Sequence, residues 1–382
     1  MEIAVTVNYF SPFIRSNEYY LCKKLSEKGH FVTLYTSDVG HKRARYTLHG
    51  IEAKEVEGFK VRRLKTIVDF VENPFYPSIY GEIKRGKYDL VHSHEDWQIG
   101  TFLSFLAARS KEIPFVLSEE RYYPPSRLKP FFAFFDRMCA ASVRENANAI
   151  TAHSTVAKRY LVEKGVSQEH VKVISVGIDT ALFKPIKNSE LRERFRIKSG
   201  DVVILNVARL HPYKGQRFLI EAFKKVKMRI SNMKLIILGR GPLEESLIQL
   251  IRELKLQNDV FLLDKAYPND FMPLVYANCD IFCLPSIVEP FGIAVLEAMA
   301  CGKPVVGTKV GGILDTINDE EVGFLINPAN VDDLSSKLMN LVLNERLRTE
   351  LGNRALARAK TVFDWNLVVK KYVELYEQLT SN

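Results

Sequence analysis

No stretch of this 382-residue chain strings together 18 apolar residues, so a membrane-spanning helix is not expected. Cysteine is sparse. The five residues at 22, 139, 279, 283 and 301 are odd in number and include no C-x-x-C pair. That argues against a disulfide framework and against a cysteine zinc site, and reduced, buried thiols are the simpler expectation. There is no low-complexity segment and no repeat of 20–50 residues of the kind that marks a solenoid. The start, Met1–Val7, lacks a basic n-region and a signal-type cleavage site. It reads as a first core strand, and a cytoplasmic protein is expected. Basic charge is not concentrated either. Up to Pro185 there are 27 Lys and Arg against 21 Asp and Glu, and beyond it 27 against 24, which together give the net +9. So diffuse an excess suits anionic small molecules or acidic lipid surfaces, and it does not supply the clustered stripe that nucleic acid requires.

What is present is an ordinary globular composition, 47% apolar and 26% charged, at a length that calls for two or three domains. Short apolar runs alternate with helical ones. Ile3–Val7, Phe31–Thr36, Tyr88–His92, Phe115–Leu117, Ala149–Thr151 and Val171–Ile174 read as strands. Glu18–Lys28, Ile99–Arg109 and Lys129–Asn146 read as helices. The pattern breaks at Phe183–Asn188 and restarts, with strands at Val202–Val207, Lys234–Leu238, Val260–Leu263, Ile281–Leu284 and Val305–Thr308. Helices lie between them, among them Gly215–Lys227, Leu243–Leu254 and Ile293–Ala300. Strand–helix alternation of this kind implies an α/β protein of two doubly wound, Rossmann-like parallel-sheet domains. The domains are placed at 1–185 and 186–362, with a last helical segment at 363–382. Ligands in such sheets bind beyond the carboxyl ends of the strands, so a cleft between the domains is the expected site.

Two loops carry the chemistry. In Pro285–Gly302 a strand ends, a loop carries Glu289 and Gly292, and a helix follows that contains Glu297. The first turn of a helix presents unpaired N–H groups and a positive dipole end, which suits phosphate. Gly292 lets the backbone come close to a ligand, and Glu289 and Glu297 are carboxylates suited to sugar and ribose hydroxyls. In Val207–Gly215 a strand end is followed by Arg209 and Lys214, two cations able to hold a diphosphate and stabilise it as it leaves. Each of these residues alone reads equally well as a solvated surface charge, and their joint placement makes the case. Gly239-Arg240-Gly241-Pro242, after a third strand, is a further place of close backbone approach.

These motifs make the sequence resemble the family-4 retaining glycosyltransferases. The matching features are Arg209-x4-Lys214-Gly215, Gly239-Arg240-Gly241-Pro242 and Glu289-x7-Glu297. Lys303-Pro304-Val305-Val306, Gly311-Gly312 with Asp315, and Gly323-Phe324-Leu325 with Pro328 also match. The agreement is dense over roughly 195–360 and weaker but continuous over 1–185. The resemblance implies the GT-B fold of two Rossmann-like domains facing a cleft. It implies a nucleoside-diphosphate sugar as donor and a hydroxyl acceptor, whether glycan, lipid-linked or small molecule. Arg209 and Lys214 would hold the diphosphate, Glu289 the donor sugar and Glu297 the ribose. The backbone of Phe291, Gly292 and Ile293 would lie beside sugar and phosphate, with Gly239 and Gly241 also on the donor side. No metal and no other cofactor is expected, in keeping with the lack of an Asp-x-Asp motif. The last helix would cross back onto the first domain, and donor base contacts would come from the backbone around 264–266. A sugar-nucleotide epimerase on the same architecture, or a non-catalytic sugar- or membrane-binding protein, are the alternatives.

The sequence departs from the family in its first half. Arg15 and Ser16 stand where the family has adjacent glycines, and Arg15 either adds a phosphate contact or blocks the approach. Glu120 takes the approximate place of a histidine after the Phe115–Leu117 strand. It would orient an acceptor hydroxyl or act as a base, unless Glu119, Glu120 and Arg121 form a surface ion pair. His92 and His94 share one strand face. With no third ligand nearby they make a poor metal pair, and His94 is expected to line the acceptor side of the cleft. The basic, aromatic segment 121–135 is a candidate for peripheral contact with the inner membrane face, or else a helix packed on its own sheet.

Overall fold

The computed structural model describes residues 1–12, 15–39, 55–69, 73–121, 133–264, 267–318 and 320–381. They form two units, Met1–Gly177 with Trp365–Asn382, and Ile178–Asp364. The division comes earlier than residue 185, because the chain from Ile178 onward is tied to the second unit. The Ile178 N–H donates to the Phe363 carbonyl at 2.7 Å. Phe183 packs edge-on against Tyr276, and Pro185 lies against Gly302.

In the second unit the described strands run in the spatial order Val260–Leu263, Met233–Leu238, Val202–Val207, Ile281–Leu284, Val305–Thr308, Gly323–Ile326. All the pairs are parallel. Counted within the unit this is the order 3-2-1-4-5-6 of a dinucleotide-binding sheet. The strands are short apolar runs with both faces buried, because helices cover the sheet on both sides. The helix Gln216–Lys227 shows how. It buries Leu219, Ile220, Phe223 and Val226 on one face. Lys224, Lys225 and Lys227 fall in its last turn, where the dipole favours them. Its apolar face joins a core that includes Leu235, Ile237, Ile281 and Leu338.

The first unit's sheet has the order Val171–Val173, Ala149–Ala152, Phe115–Glu119, Leu90–His94, Glu2–Thr6, Phe31–Ser37, Phe59–Leu64, Glu55–Val56. Every pair is parallel except the last. The chain builds outward from Glu2–Thr6 on one side, then returns to its other side at Leu90–His94. In both units, then, the strand order reverses beside the first strand, between Glu2–Thr6 and Leu90–His94 here and between Val202–Val207 and Ile281–Leu284 in the second. At such a point neighbouring connections leave the sheet on opposite faces and open a crevice at the carboxyl edge.

The closing helix Trp365–Thr380 completes the first unit's core. Trp365 is 1% exposed and stacks on Tyr20 with ring centroids 5.8 Å apart. A side chain at Gly177 would collide with the indole, so glycine leaves the room that Trp365 fills. Val368, Val369, Tyr372, Leu375 and Tyr376 continue the apolar face at helical spacing. The Tyr376 hydroxyl reaches His92 Nδ1 at 2.6 Å. Deleting a fully buried tryptophan costs the lost burial plus the cavity. Trp365→Ala should therefore destabilise the first unit by about 3–5 kcal/mol, read as a lower urea midpoint for its unfolding. A change under 1 kcal/mol would show that this helix docks without consolidating the core.

Candidate functional site

The second unit's crevice is assembled by four loops that follow the strands Val202–Val207, Met233–Leu238, Ile281–Leu284 and Val305–Thr308. The first loop makes a single 3-10 turn at Pro212–Lys214 and enters its helix through Gly215 in the left-handed conformation. The loops are bonded to one another. The Tyr213 carbonyl accepts from the N–H groups of Ile287, at 2.7 Å, and Val288. The Leu210 N–H donates to the Arg240 carbonyl at 2.8 Å, and the Gly312 N–H to that of Pro290 at 3.0 Å. The expected glycines take their reason from this packing. A Cβ on Gly239 would stand 1.8 Å from the Ala208 carbonyl oxygen, and one on Gly241 2.2 Å from that of Leu210. Glycine is required there so that the loops can touch one another, whatever ligand approaches from outside.

Within this frame Lys214 and Glu289 meet. The ammonium lies 2.6 Å from Glu289 Oε2, and the two side chains are 14% and 9% exposed. The Ser286 hydroxyl donates to the same carboxylate oxygen at 3.1 Å. The Tyr213 ring lies under the ammonium at 5.4 Å. Arg209, one loop position beyond its strand, is exposed and has no ionic partner among the described residues. Its backbone is held by Gln216, whose amide donates to the Arg209 carbonyl at 2.8 Å. The loop thus fixes a cation whose charge is not spent internally.

Glu289 leads through Pro290 and the buried Phe291 into Gly292, which has φ 90° and ψ 51° and caps the helix Ile293–Ala300. Only glycine takes that left-handed turn at low cost, and the turn brings the helix start directly after the carboxylate loop. Glu297 sits one turn inside, half-buried. The Tyr276 hydroxyl donates to its Oε2 at 2.5 Å. Burial pushes the Glu297 carboxyl up to about 7, and the Tyr276 bond opposes that only in part. Two cations, two carboxylates and a helix start therefore share one crevice. Residues 265–266, the expected base-contacting stretch with Asp264, lie outside the described residues.

The first unit's crevice is a different chemical surface. Three strand ends deliver His94, Glu120 and His153, and the first turn of the helix Asn17–Glu27 delivers Glu18. His94 Nδ1 lies 3.8 Å from Glu18 Oε1, and His153 Nδ1 lies 3.7 Å from Glu120 Oε2. The two imidazoles face one another with ring centroids 6.3 Å apart. Asn17 Nδ2 approaches His153 Nε2 at 3.4 Å. Burial drives His94 down to about 3, so it is neutral. The expected residues His94 and Glu120 are brought together. Glu18, Asn17 and His153 join them without having been singled out by the sequence.

Two other readings are corrected. The surface ion pair of Glu119, Glu120 and Arg121 does not form. Glu119 turns inward and is fully buried, and Arg121 bonds both it, at 3.2 Å, and Asp96. Glu120, the next residue, projects from the other side of the strand toward His153. Arg15 is drawn to Glu57, at 3.9 Å, and lies over the Tyr19 ring at 5.8 Å, so it is not grouped with His94 and Glu120. His92, which shares a face with His94 at a ring distance of 4.6 Å, is committed to Ser118 and Tyr376. Of the basic aromatic segment 121–135, residues 122–132 lie outside the described residues. No helix among the described residues is long and apolar enough to cross a membrane.

Parallel-sheet units with a crevice at a strand-order reversal are a common architecture for nucleotide-binding enzymes, and the fold alone does not say which. Residues 187–358 match the family described as Glycosyl transferases group 1, and residues 19–182 match Glycosyltransferase Family 4. The chain belongs to the family-4 glycosyltransferases and is an enzyme of that class. It is 28% identical to an uncharacterized glycosyltransferase of Methanocaldococcus jannaschii, over 99% of this chain and 98% of that one. It is 27% identical to the MMP alpha-(1->4)-mannosyltransferase of Mycolicibacterium hassiacum, over 77% and 72% of the two chains. Among solved structures, sucrose-phosphate synthase from Thermosynechococcus elongatus superposes with a TM-score of 0.83 at 19% identity, covering 100% of this chain and 99% of that one. Anabaena HepE in complex with UDP superposes with a TM-score of 0.82 at 22% identity, covering 99% and 100%. These likenesses show the two-domain GT-B fold.

The raised Glu297 carboxyl makes stability depend on pH with a definite sign. Its folded value, about 7, lies above the ordinary 4.5. Between those values the native state binds more protons than the unfolded one, so this group's contribution falls as pH rises through the window. Glu297→Gln should remove that dependence and leave the variant more stable than the parent above pH 7, by about 1–3 kcal/mol, with no such advantage near pH 4.5. Denaturant titrations at pH 5 and pH 8 make the comparison, and an equal difference at both would contradict it.

Proposed function

We propose that the protein is a retaining glycosyltransferase that moves a sugar from a nucleoside-diphosphate sugar to an acceptor hydroxyl without a metal ion. The observation that carries this is the grouping of Arg209 and the Lys214–Glu289 pair with the start of the helix Ile293–Ala300, with Glu297 one turn along it. Three features of a nucleotide sugar have a counterpart there. Arg209 and Lys214 supply two positive charges for the diphosphate, and the helix start adds N–H donors. Glu289 accepts from hydroxyls of the donor sugar while it keeps Lys214 in place. Glu297 accepts from the ribose hydroxyls. HepE, similar in fold, has been seen with UDP and with UDP-glucose, which supports this class of donor.

In this reading the acceptor oxygen attacks the anomeric carbon from the face that the diphosphate is leaving, so the configuration is retained. The bond from the anomeric carbon to the phosphate oxygen breaks as the bond to the acceptor oxygen forms. The departing phosphate oxygen takes the acceptor's proton. No protein nucleophile takes part. Arg209 and Lys214 act by stabilising negative charge as it grows on the leaving diphosphate, an effect that is large in a site with little water. The remainder of the rate comes from holding two substrates in line.

A thermal-shift screen of UDP-, GDP- and ADP-sugars tests the donor assignment. A ligand at 100 times its dissociation constant should stabilise the protein by about 2.7 kcal/mol. Arg209→Ala should weaken that ligand by at least about tenfold, the loss expected for a charge-assisted contact to phosphate. No shift with any of them at millimolar concentration would reject the reading. Because ribose hydroxyls donate to an ionised carboxylate, donor affinity should also rise between pH 6 and pH 8 as Glu297 ionises, and Glu297→Gln should flatten that rise. Once a donor and acceptor are known, the reaction rate should be unchanged by EDTA, and the product should keep the donor's anomeric configuration by NMR.

A further inference from the structure

In the first unit's crevice the polar groups are assembled but only in part satisfied. The His94–Glu18 and His153–Glu120 separations, 3.8 and 3.7 Å, are each too long for a direct hydrogen bond and suit a bridging oxygen. His94 Nε2 is buried and has no hydrogen-bond partner, although the His94 side chain is only 5% exposed. A buried polar nitrogen left unpaired costs free energy, so this one is poised for a group that arrives from outside. The opening lies on the carboxylate side. The Glu120 side chain is 37% exposed and that of Glu18 19%, while both imidazoles lie beneath them.

The charges sort the ligands that fit. Facing Glu120 are His153 and Glu18, with Arg121 farther in. Arg121 is spent on Asp96 and Glu119. Among the described residues, no lysine or arginine in this cluster is left to meet an anion. Two carboxylates at the mouth repel phosphate and carboxylate groups and accept hydrogen bonds from neighbouring hydroxyls, with an imidazole on each side to complete them. We infer that Glu18, His94, Glu120 and His153 form the acceptor subsite, and that it takes an uncharged polyol, a sugar ring or an inositol-like diol, and not a phosphorylated one. This rests on the glycosyl-transfer reading above. Glu120 holds the acceptor hydroxyl by accepting its hydrogen bond, and it is a positioning residue, since the proton passes to the departing phosphate.

The test pairs neutral acceptors with their phosphate esters: glucose with glucose 6-phosphate, myo-inositol with inositol 1-phosphate, and glycerol with glycerol 3-phosphate. The donor is the nucleotide sugar that gives the thermal shift. The neutral member of a pair should be used at least tenfold better in kcat/KM. In Glu120→Gln the KM for that acceptor should rise at least tenfold while kcat changes less than threefold. Glu120→Asp should recover part of the loss, which a merely structural role would not predict. The thermal shift given by the donor should match the parent's, showing that the variant is folded and the other unit intact. Preference for the phosphate ester, or an unchanged KM in Glu120→Gln, would overturn the inference. Absence of any donor shift in the parent would instead reject the donor reading on which it rests.

Discussion

Parallel pairing is the constraint from which the rest of this molecule follows. Once neighbouring strands run the same way, every loop that leaves a carboxyl end falls on one edge of the sheet. Once the order reverses beside the first strand, the loops on either side part and leave a crevice there. Both units obey this independently. In the second, the edge collects Arg209, Lys214, Glu289 and Glu297. In the first, it collects Glu18, His94, Glu120 and His153. One geometry thus serves two chemistries, cationic and helix-capped in one unit, carboxylate-mouthed in the other.

The loops need rigid support for such charges to be useful, and the two units provide it differently. In the second, backbone bonds between successive loops do the work, made possible by glycines that let carbonyl oxygens come close. In the first, a buried ionic set lies behind the crevice. Asp96 bonds both Arg121 and Arg144, Arg121 also bonds Glu119, and Arg144 also reaches Asp136 at 2.8 Å. Burying that many charges is costly unless each has partners, and here each has them. The arrangement holds the end of the Phe115–Glu119 strand in one conformation and so fixes where Glu120 points. Glu95 adds to this. It sits in the left-handed region at φ 61°, and its carboxylate accepts from the Trp97 indole at 2.9 Å and the Gln98 amide at 2.7 Å.

Much of the architecture was legible because the strands are apolar runs and the helices carry a clear stripe. Phe59–Leu64 was not. Its alternation of buried Phe59 and Val61 with exposed Lys60 and Arg62 is that of a strand near a sheet edge, and with Arg63 next it reads as a charged loop. The Arg209, Lys214, Glu289 and Glu297 set was legible because each lies just past a strand or helix boundary that the sequence marks. His153 and Glu18 were invisible for the opposite reason. One precedes the N-cap residue Ser154, and the other sits in the first turn of Asn17–Glu27, where an acid is ordinary. Only the strand order places them beside Glu120 and His94. The inward turn of Glu119 was equally hidden, since the choice between two adjacent glutamates depends on which face of the strand meets Arg121.

The central claim is that the donor sits on the loops bearing Arg209, Lys214, Glu289 and Glu297. Amide hydrogen exchange reports this most directly, with and without the nucleoside diphosphate that best stabilises the protein. Peptides covering residues 209–216 and 286–297 should gain protection together when the ligand is added, while peptides on the amino edge of the same sheet stay unchanged. Protection confined to other segments, with both of these loops unaffected at saturating ligand, would contradict the account.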